Sequence, residues 1–320
     1  MEGVTVRYRP RNYESEADYK RVRRFLQATW ELNPRPGDNW HVCDFDYWFW
    51  HYLPNVVERD PAETRIWEDA AGNIVAVLNQ GDPGVCHLHV HPEERSRELD
   101  KAMIAEAEAR MSAETRDDRR AVWIWADAGD ADRSTVLEEQ SYAIRESAHA
   151  IEHHGHRDLT GPIRTVPIPE GYILRAMRGE EDLPARSLAS WRAFHPDESD
   201  DGCDQTGSWY RTVQRSPTYR PDLDIIAVAP GGEIASFGLC YYDEPSRSGV
   251  FVLAGTATEH QGLGLGKAVL TEALCQLRAI GATDTHVSWY EAAAGALYES
   301  VGLREWARSC AWRKVWEAGD

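Results

Sequence analysis

Two periods organise the apolar positions of this chain. Alternation marks strands, and recurrence every three to four residues marks helices. Alternation over residues 4–9 predicts a first strand. Tyr19, Val22, Phe25 and Leu26 fall on one side of a helix predicted over 14–29. The aromatic-rich stretch 40–51 predicts a helix in its second half, whose rings serve a core. Residues 65–68 and 74–79 predict a strand pair around Asp69-Ala70-Ala71-Gly72-Asn73. A strand over 85–91, a helix over 94–111, a strand over 121–126, a short helix over 132–140 and a long strand over 142–153 complete the first half.

The second half runs through the same order. A strand is predicted over 171–175, a helix over 180–194 and, after a loop, a helix over 206–215. A hairpin of 225–229 and 233–242 turns at Pro230-Gly231-Gly232. The apolar run Val250-Phe251-Val252-Leu253-Ala254 is a strand, and Val269, Leu270, Ala273, Leu274 and Leu277 recur at helical spacing behind it. A strand over 283–289, a helix over 292–300 and a strand over 304–316 complete the half. Arg95 and Gln261 lie 166 positions apart, and the helices behind them keep that register: Leu99 with Leu265, Lys101 with Lys267, Ala102 with Ala268, Glu106 with Glu272, Ala107 with Ala273. The chain therefore reads as a tandem duplication of α/β class. Its domains are expected at 1–160 and 167–320, divided in the polar, proline-bearing segment 156–169.

Between the strand ending near Ala254 and its helix stands Gln261-Gly262-Leu263-Gly264-Leu265-Gly266-Lys267. The first N–H groups of a helix have no partner inside it, and the dipole there is positive. Glycines let the backbone come close to a bulky anion, so the stretch suits a phosphate or pyrophosphate. A dinucleotide fold wants G-x-G-x-x-G early in its domain. Here the glycines run G-x-G-x-G, with about 50 residues after them. A P-loop wants G-x-x-x-x-G-K-[ST], and Gln261 and Ala268 break that pattern twice. In the first half the three glycine positions are held by Ser96, Glu98 and Asp100. Side chains block the backbone there, and two carboxylates are expected to face, and repel, a bound diphosphate.

Composition narrows the picture. At 320 residues with 42% hydrophobic content, each half is large enough for its own core. The net charge of −18 opposes nucleic acid and would concentrate a cation, although plain solubility is the better explanation of it. No apolar run approaches membrane-spanning length, and the first residues carry no signal-peptide pattern. The six cysteines are scattered without a C-x-x-C, which fits a reducing cytosol. Four of the 35 basic residues are Lys, a bias expected of a GC-rich bacterial genome.

Gln261-Gly262-Leu263-Gly264-Leu265-Gly266 resembles the [QR]-x-x-G-x-[GA] signature of the GCN5-related N-acetyltransferases. The segment 293–303, with Leu297-Tyr298-Glu299 and Gly302-Leu303, resembles the A-x-x-L-Y-E-x-x-G-F segment of the same family. The resemblance covers roughly residues 170–315. It implies two tandem domains of that fold, each a central mixed sheet flanked by helices, with the first copy degenerate. It also implies acetyl-coenzyme A as co-substrate. The expected pyrophosphate donors are the N–H groups of Leu263, Gly264, Leu265, Gly266 and Lys267, on a loop opened by Gln261 and Gly262. Ala254, Gly255 and Thr256 are expected along the pantetheine arm. The first copy is then a scaffold or a wall of the acceptor site.

Acetyl transfer to an amine requires a held and polarised thioester, a neutral amine and a donor for the leaving thiolate. Tyr298 matches the family tyrosine that protonates the thiolate, a role a neutral phenol suits. The strand before the loop carries no carboxylate, so Glu291 and His286 are candidate bases, with Asp243, Glu244 and Glu259 also at strand ends. Asp197, Glu198, Asp200 and Asp201 form an acidic loop that would attract an amine cation or would simply be solvated, and Tyr241, Tyr242, Trp289 and Tyr290 are candidate walls. His87, His89 and His91 share one face of a strand, with His149, His153, His154 and His156 on the closing segment. No familiar ligand pattern completes a metal site there, so no metal is assigned. The expectation is an N-acetyltransferase acting on a small, cationic primary amine by direct attack in a ternary complex. The alternatives are a non-catalytic acyl-coenzyme-A-binding module, or a metal-binding protein centred on the first-half histidines.

Overall fold

A computed structural model describes residues 8–37, 39–115, 117–144 and 148–316. In chain order the elements are β1 (Arg9–Asn12), α1 (Glu16–Leu32), α2 (Val42–Tyr47), α3 (Leu53–Asn55), β2 (Arg65–Glu68), β3 (Ile74–Gln80), β4 (Val85–Val90), α4 (Arg97–Arg110), β5 (Ala113–Glu114), β6 (Arg120–Asp127), α5 (Ala131–Glu139), β7 (Ala143–Ile144) and β8 (Ile151–Asp158). The series continues with β9 (Ile173–Ala176), α6 (Leu183–Phe194), α7 (Ser208–Gln214), β10 (Asp224–Val228), β11 (Ile234–Asp243), β12 (Ser248–Thr256), α8 (Leu265–Ala279), β13 (Asp284–Trp289), α9 (Ala292–Ser300) and β14 (Arg304–Trp316).

Where the elements depart from the sequence pattern, local chemistry explains most of the difference. Residues 4–7 of the first expected strand lie outside the described residues, and β1 starts at Arg9. The helix expected from 94 starts at Arg97, because Pro92 opens a separate 3-10 turn and Ser96 caps α4 itself. Pro184 likewise opens α6 after a 3-10 turn at Gly179–Asp182. The long strand expected over 142–153 is not formed. Two residues pair at Ala143–Ile144, a 3-10 turn occupies Ala148–Ala150, and the strand proper runs Ile151–Asp158. Residues 145–147 of the expected strand lie outside the described residues.

The chain divides into two compact units whose residues are not consecutive in sequence. Unit 1 comprises residues 1–45, 52–153 and 307–320, and unit 2 comprises 46–51 and 154–306. Unit 1 orders its strands β1-β2-β3-β4-β6-β14. The β4–β6 pair is parallel, and β14 is antiparallel to β6 from Ser309↔Asp127 to Trp316↔Arg120. Its core gathers Trp67, Leu78, Met103, Ile124, Val136 and Trp312 between the sheet and α4 and α5. Within that core the fully buried Arg133 donates to Asp100 Oδ1 at 3.1 and 3.2 Å and to the Leu88 carbonyl at 3.2 Å. A buried charge needs such a partner, because desolvation costs several kcal/mol per ion.

Unit 2 orders its strands β8-β13-β12-β11-β10-β9, with β12–β13 parallel. Its core lies under α8, where Val269, Leu270, Leu274 and Leu277 meet Cys240 and Phe251. The aromatic segment 46–51 belongs to this unit. Asp46 Oδ2 accepts from Thr218 Oγ1 at 2.9 Å, Tyr47 meets Tyr241 edge-on with ring centroids 6.4 Å apart, and Arg215 lies over Trp50 at 5.0 Å. Of the rings in this segment Trp48 is buried, while Tyr47, Phe49 and Trp50 are half-buried.

Candidate functional site

The glycine turn sits at the N-terminus of α8. Gly262 and Gly264 adopt φ of 76° and 77°, the left-handed region, and space is open where their side chains would be. Gly264 is the N-cap, no side chain caps the helix, and its first turn holds no acid. The donors of that turn are therefore left for an external acceptor. The turn is fastened from below, where Gln261 Nε2 donates to the Thr256 carbonyl at 3.2 Å. Gly266 faces Thr256 Oγ1 and the Leu297 side chain, which brings the ends of β12, α8 and α9 together.

The corresponding end of α4 is closed. Ser96 Oγ accepts from the Leu99 N–H at 3.2 Å, and Arg95, the counterpart of Gln261, is hydrogen-bonded to Asp130. The expectation of two outward carboxylates needs correction here. Glu98 is exposed, but Asp100 is buried on Arg133, because the side chain at that helical position faces the core.

Next to the glycine turn the sheet splits. The β12–β13 register runs only from Ser248↔Asp284 to Phe251↔Val287. On its other side β12 stays paired with β11 as far as Thr256↔Ser236, through a bulge that adds Val252 to β12 between Phe251 and Leu253. Ala254, Gly255 and Thr256 thus pair with Gly238, Phe237 and Ser236, while their opposite edge lies past the β13 register. An extended group entering that cleft meets backbone donors and acceptors.

Tyr298 lies on α9, buried, with its ring centroid 5.9 Å from that of Trp289. Burial pushes its phenol up to about 12, so it is a protonated donor at neutral pH. Glu291 is exposed immediately before α9. His286 is buried, its Nε2 3.0 Å from Asp284 Oδ1. Tyr242 and Trp289, expected as acceptor walls, belong instead to the buried cluster against α8. Trp289 lies against Gly295 and Tyr298 of α9.

The acidic loop is only partly available to a cation. Asp200 is bound by Arg192 at 2.6 Å, and the same guanidinium reaches Glu259 at 2.6 Å. Asp197, Glu198 and Asp201 are exposed to solvent. The clamp by Arg192 was missed in the sequence; the only signal was a lone arginine eight residues before an acid. Arg186 was missed as well. It is fully buried, 3.5 Å over the Phe237 ring and 4.6 Å over that of Tyr210. His154 Nδ1 also meets Ser288 Oγ at 2.8 Å on neighbouring strands.

The first-half histidines have other work. His89 Nε2 bonds Asn79 Oδ1 at 2.8 Å and its Nδ1 accepts from the Trp40 N–H, while the His87 ring meets that of Trp40 at a tilt, with centroids 4.5 Å apart. His91 Nδ1 accepts from the Glu93 N–H at 3.3 Å. Among the described residues, the group whose geometry could hold a metal is His156, Asp284 and His286.

No protein-family model matches the sequence. The chain is 28% identical over 248 residues to a mycothiol acetyltransferase of Salinispora arenicola, a match spanning 72% of this chain and 74% of that protein. A mycothiol acetyltransferase of Salinispora tropica is 28% identical over 233 residues, covering 69% of each. Two solved structures share the fold over nearly the whole chain. A GCN5-related N-acetyltransferase from Sphaerobacter thermophilus superposes with a TM-score of 0.66 at 18% identity, covering 99% of this chain and 98% of that one. A tandem GNAT protein from the clavulanic acid biosynthesis pathway gives 0.66 at 16% identity, covering 98% and 100%.

Proposed function

We propose that this chain, a tandem member of the GCN5-related N-acetyltransferase superfamily using acetyl-coenzyme A, acetylates the primary amine of a small, cationic molecule by direct attack in a ternary complex. The observation that carries the reading is the contrast between two helix N-termini, one open behind glycines and one capped by Ser96. In this reading residues 167–320 form the catalytic domain and 1–160 a domain that does not bind coenzyme A.

The amide groups from Leu263 to Lys267 hold the pyrophosphate, with Gln261 and Gly262 shaping the entry. The pantetheine arm lies along Ala254, Gly255 and Thr256, where a backbone N–H polarises the thioester carbonyl. The amine attacks that carbonyl, the tetrahedral intermediate collapses, and Tyr298 gives its proton to the departing thiolate. We assign the proton from the amine to Glu291, exposed beside α9, because His286 is directed at Asp284. Asp197, Glu198 and Asp201 attract the amine, with Asp200 held back by Arg192. The relatives' name makes the unacetylated amine precursor of mycothiol, and small amines related to it, the first acceptors to try.

Among the described residues no helix is long and apolar enough to cross a membrane. We place the protein in the cytosol, in keeping with six free cysteines. The test is thiol release from acetyl-coenzyme A in the presence of an amine panel. Amine-dependent release supports the reading. Saturable coenzyme binding without any amine-dependent release would support a binding module, which the missing carboxylate on β12 favours.

A further inference from the structure

We propose that His156, Asp284 and His286 form a site in unit 2 for a divalent transition cation of the zinc class. Asp284 and His286 are two apart on β13 and so face the same way, and His156 stands on β8, the neighbouring strand. Their ligand atoms all lie within 4.8 Å of one another. Zinc bound tetrahedrally at about 2.0–2.2 Å separates its nitrogen and oxygen ligands by about 3.4 Å. His286 Nε2 and Asp284 Oδ1 are already 3.0 Å apart. Only a small swing of the imidazole of His156 is needed to close the triangle.

The surroundings are those a metal site needs. The carboxylate is oriented by two hydroxyls, Ser248 Oγ on Oδ1 at 2.6 Å and Thr283 Oγ1 on Oδ2 at 2.9 Å. Trp306 flanks both imidazoles, with ring centroids 5.5 Å from each. Two imidazoles and one carboxylate suit borderline cations such as Zn2+ or Co2+, and three protein ligands leave a fourth position for water. The site is separate from the glycine turn and does not depend on the proposed reaction.

The experiment uses the full chain, freed of metal by chelation and titrated with Co2+. Saturation at one equivalent, with the intense visible d–d absorption of low-symmetry cobalt, is expected, and Zn2+ should bleach it. His156→Ala should weaken Co2+ binding by more than about 100-fold, beyond the range typical of an outer-shell loss. Its metal-free melting curve should match the wild type, which excludes misfolding as the cause. Asp284→Asn should act in the same direction, and His87→Ala with His89→Ala should change nothing. The proposal is overturned if the wild type shows no saturable cobalt spectrum. It is equally overturned if His156→Ala titrates like the wild type, or if the His87/His89 variant loses the signal instead.

Discussion

Gly264 shows how much can rest on one missing side chain. Gly264→Glu copies the residue at the matching position of the first half. The left-handed backbone should cost about 1–2 kcal/mol of stability. Acetyl-coenzyme A affinity should fall by about 100-fold or more, because the carboxylate faces the diphosphate; calorimetric titration checks this. Tyr298→Phe removes the proposed proton donor while keeping the ring against Trp289. It should lower kcat by about 100-fold, with the KM for acetyl-coenzyme A nearly unchanged. Unchanged turnover would remove Tyr298 from its role. His51 offers a pH-dependent test. Burial, aided by the Arg186 charge, lowers it from 6.5 to about 4, so the native state keeps it neutral while the unfolded chain protonates it. Its contribution is complete above pH 6.5 and is lost as the pH falls toward 4. The wild type should therefore lose about 2 kcal/mol between pH 7.5 and pH 5 through this residue. His51→Phe should flatten that part of the profile in urea denaturation. Glycines and the tyrosine could be read directly from the sequence. Arg186, Arg192 and Ser288 could not, since what defines them is the ring, acid or histidine that the fold brings to them.

At the scale of elements, α4 and α8 illustrate one helix with two endings. The repeat register pairs their residues, yet α8 begins on a left-handed glycine and α4 on a serine cap. The substitutions in the first half are more than a loss. Asp100, which stands where unit 2 has Gly266, supplies the anion that makes the buried Arg133 tolerable. Asp100→Ala should destabilise the protein by about 3–5 kcal/mol, and adding Arg133→Met should recover most of that; chemical denaturation measures both. Helices and strands with clean periodicity were legible almost to the residue, among them Arg65–Glu68, Ala292–Ser300 and Arg304–Trp316. Legibility failed where proline or a cap reset a helix start, as at Pro92 and Pro184. It failed again at 142–153, where sparse apolar positions left the period undefined. The split between β12 and β13 leaves no mark in periodicity, because it depends on where pairing stops.

At the scale of the molecule, the repeat in sequence and the units in space are different partitions. Unit 1 draws its closing strand from residues 307–316, and unit 2 draws 154–158 and the aromatic segment 46–51 from the other half. Register with a distant strand is not encoded in local periodicity, so no reading of the sequence could have assigned these segments. A fragment of residues 1–160 lacks the eight β14 residues that pair with β6 from Arg120 to Asp127. It should express as an aggregating or expanded species by circular dichroism and light scattering, and adding a peptide of residues 304–316 should partly rescue it. A soluble, cooperatively melting fragment would contradict this.

The same strand has a consequence for how the protein is born. Residues 309–316 leave the ribosome roughly 180 residues after β6, on the order of 10 to 40 s later at translation speeds of 5–20 residues per second. For that interval the edge of β6 waits without the neighbour it will keep. Vectorial, one-module-at-a-time maturation is thus closed to this chain, and nascent copies on one polysome carry matching exposed edges at the same moment.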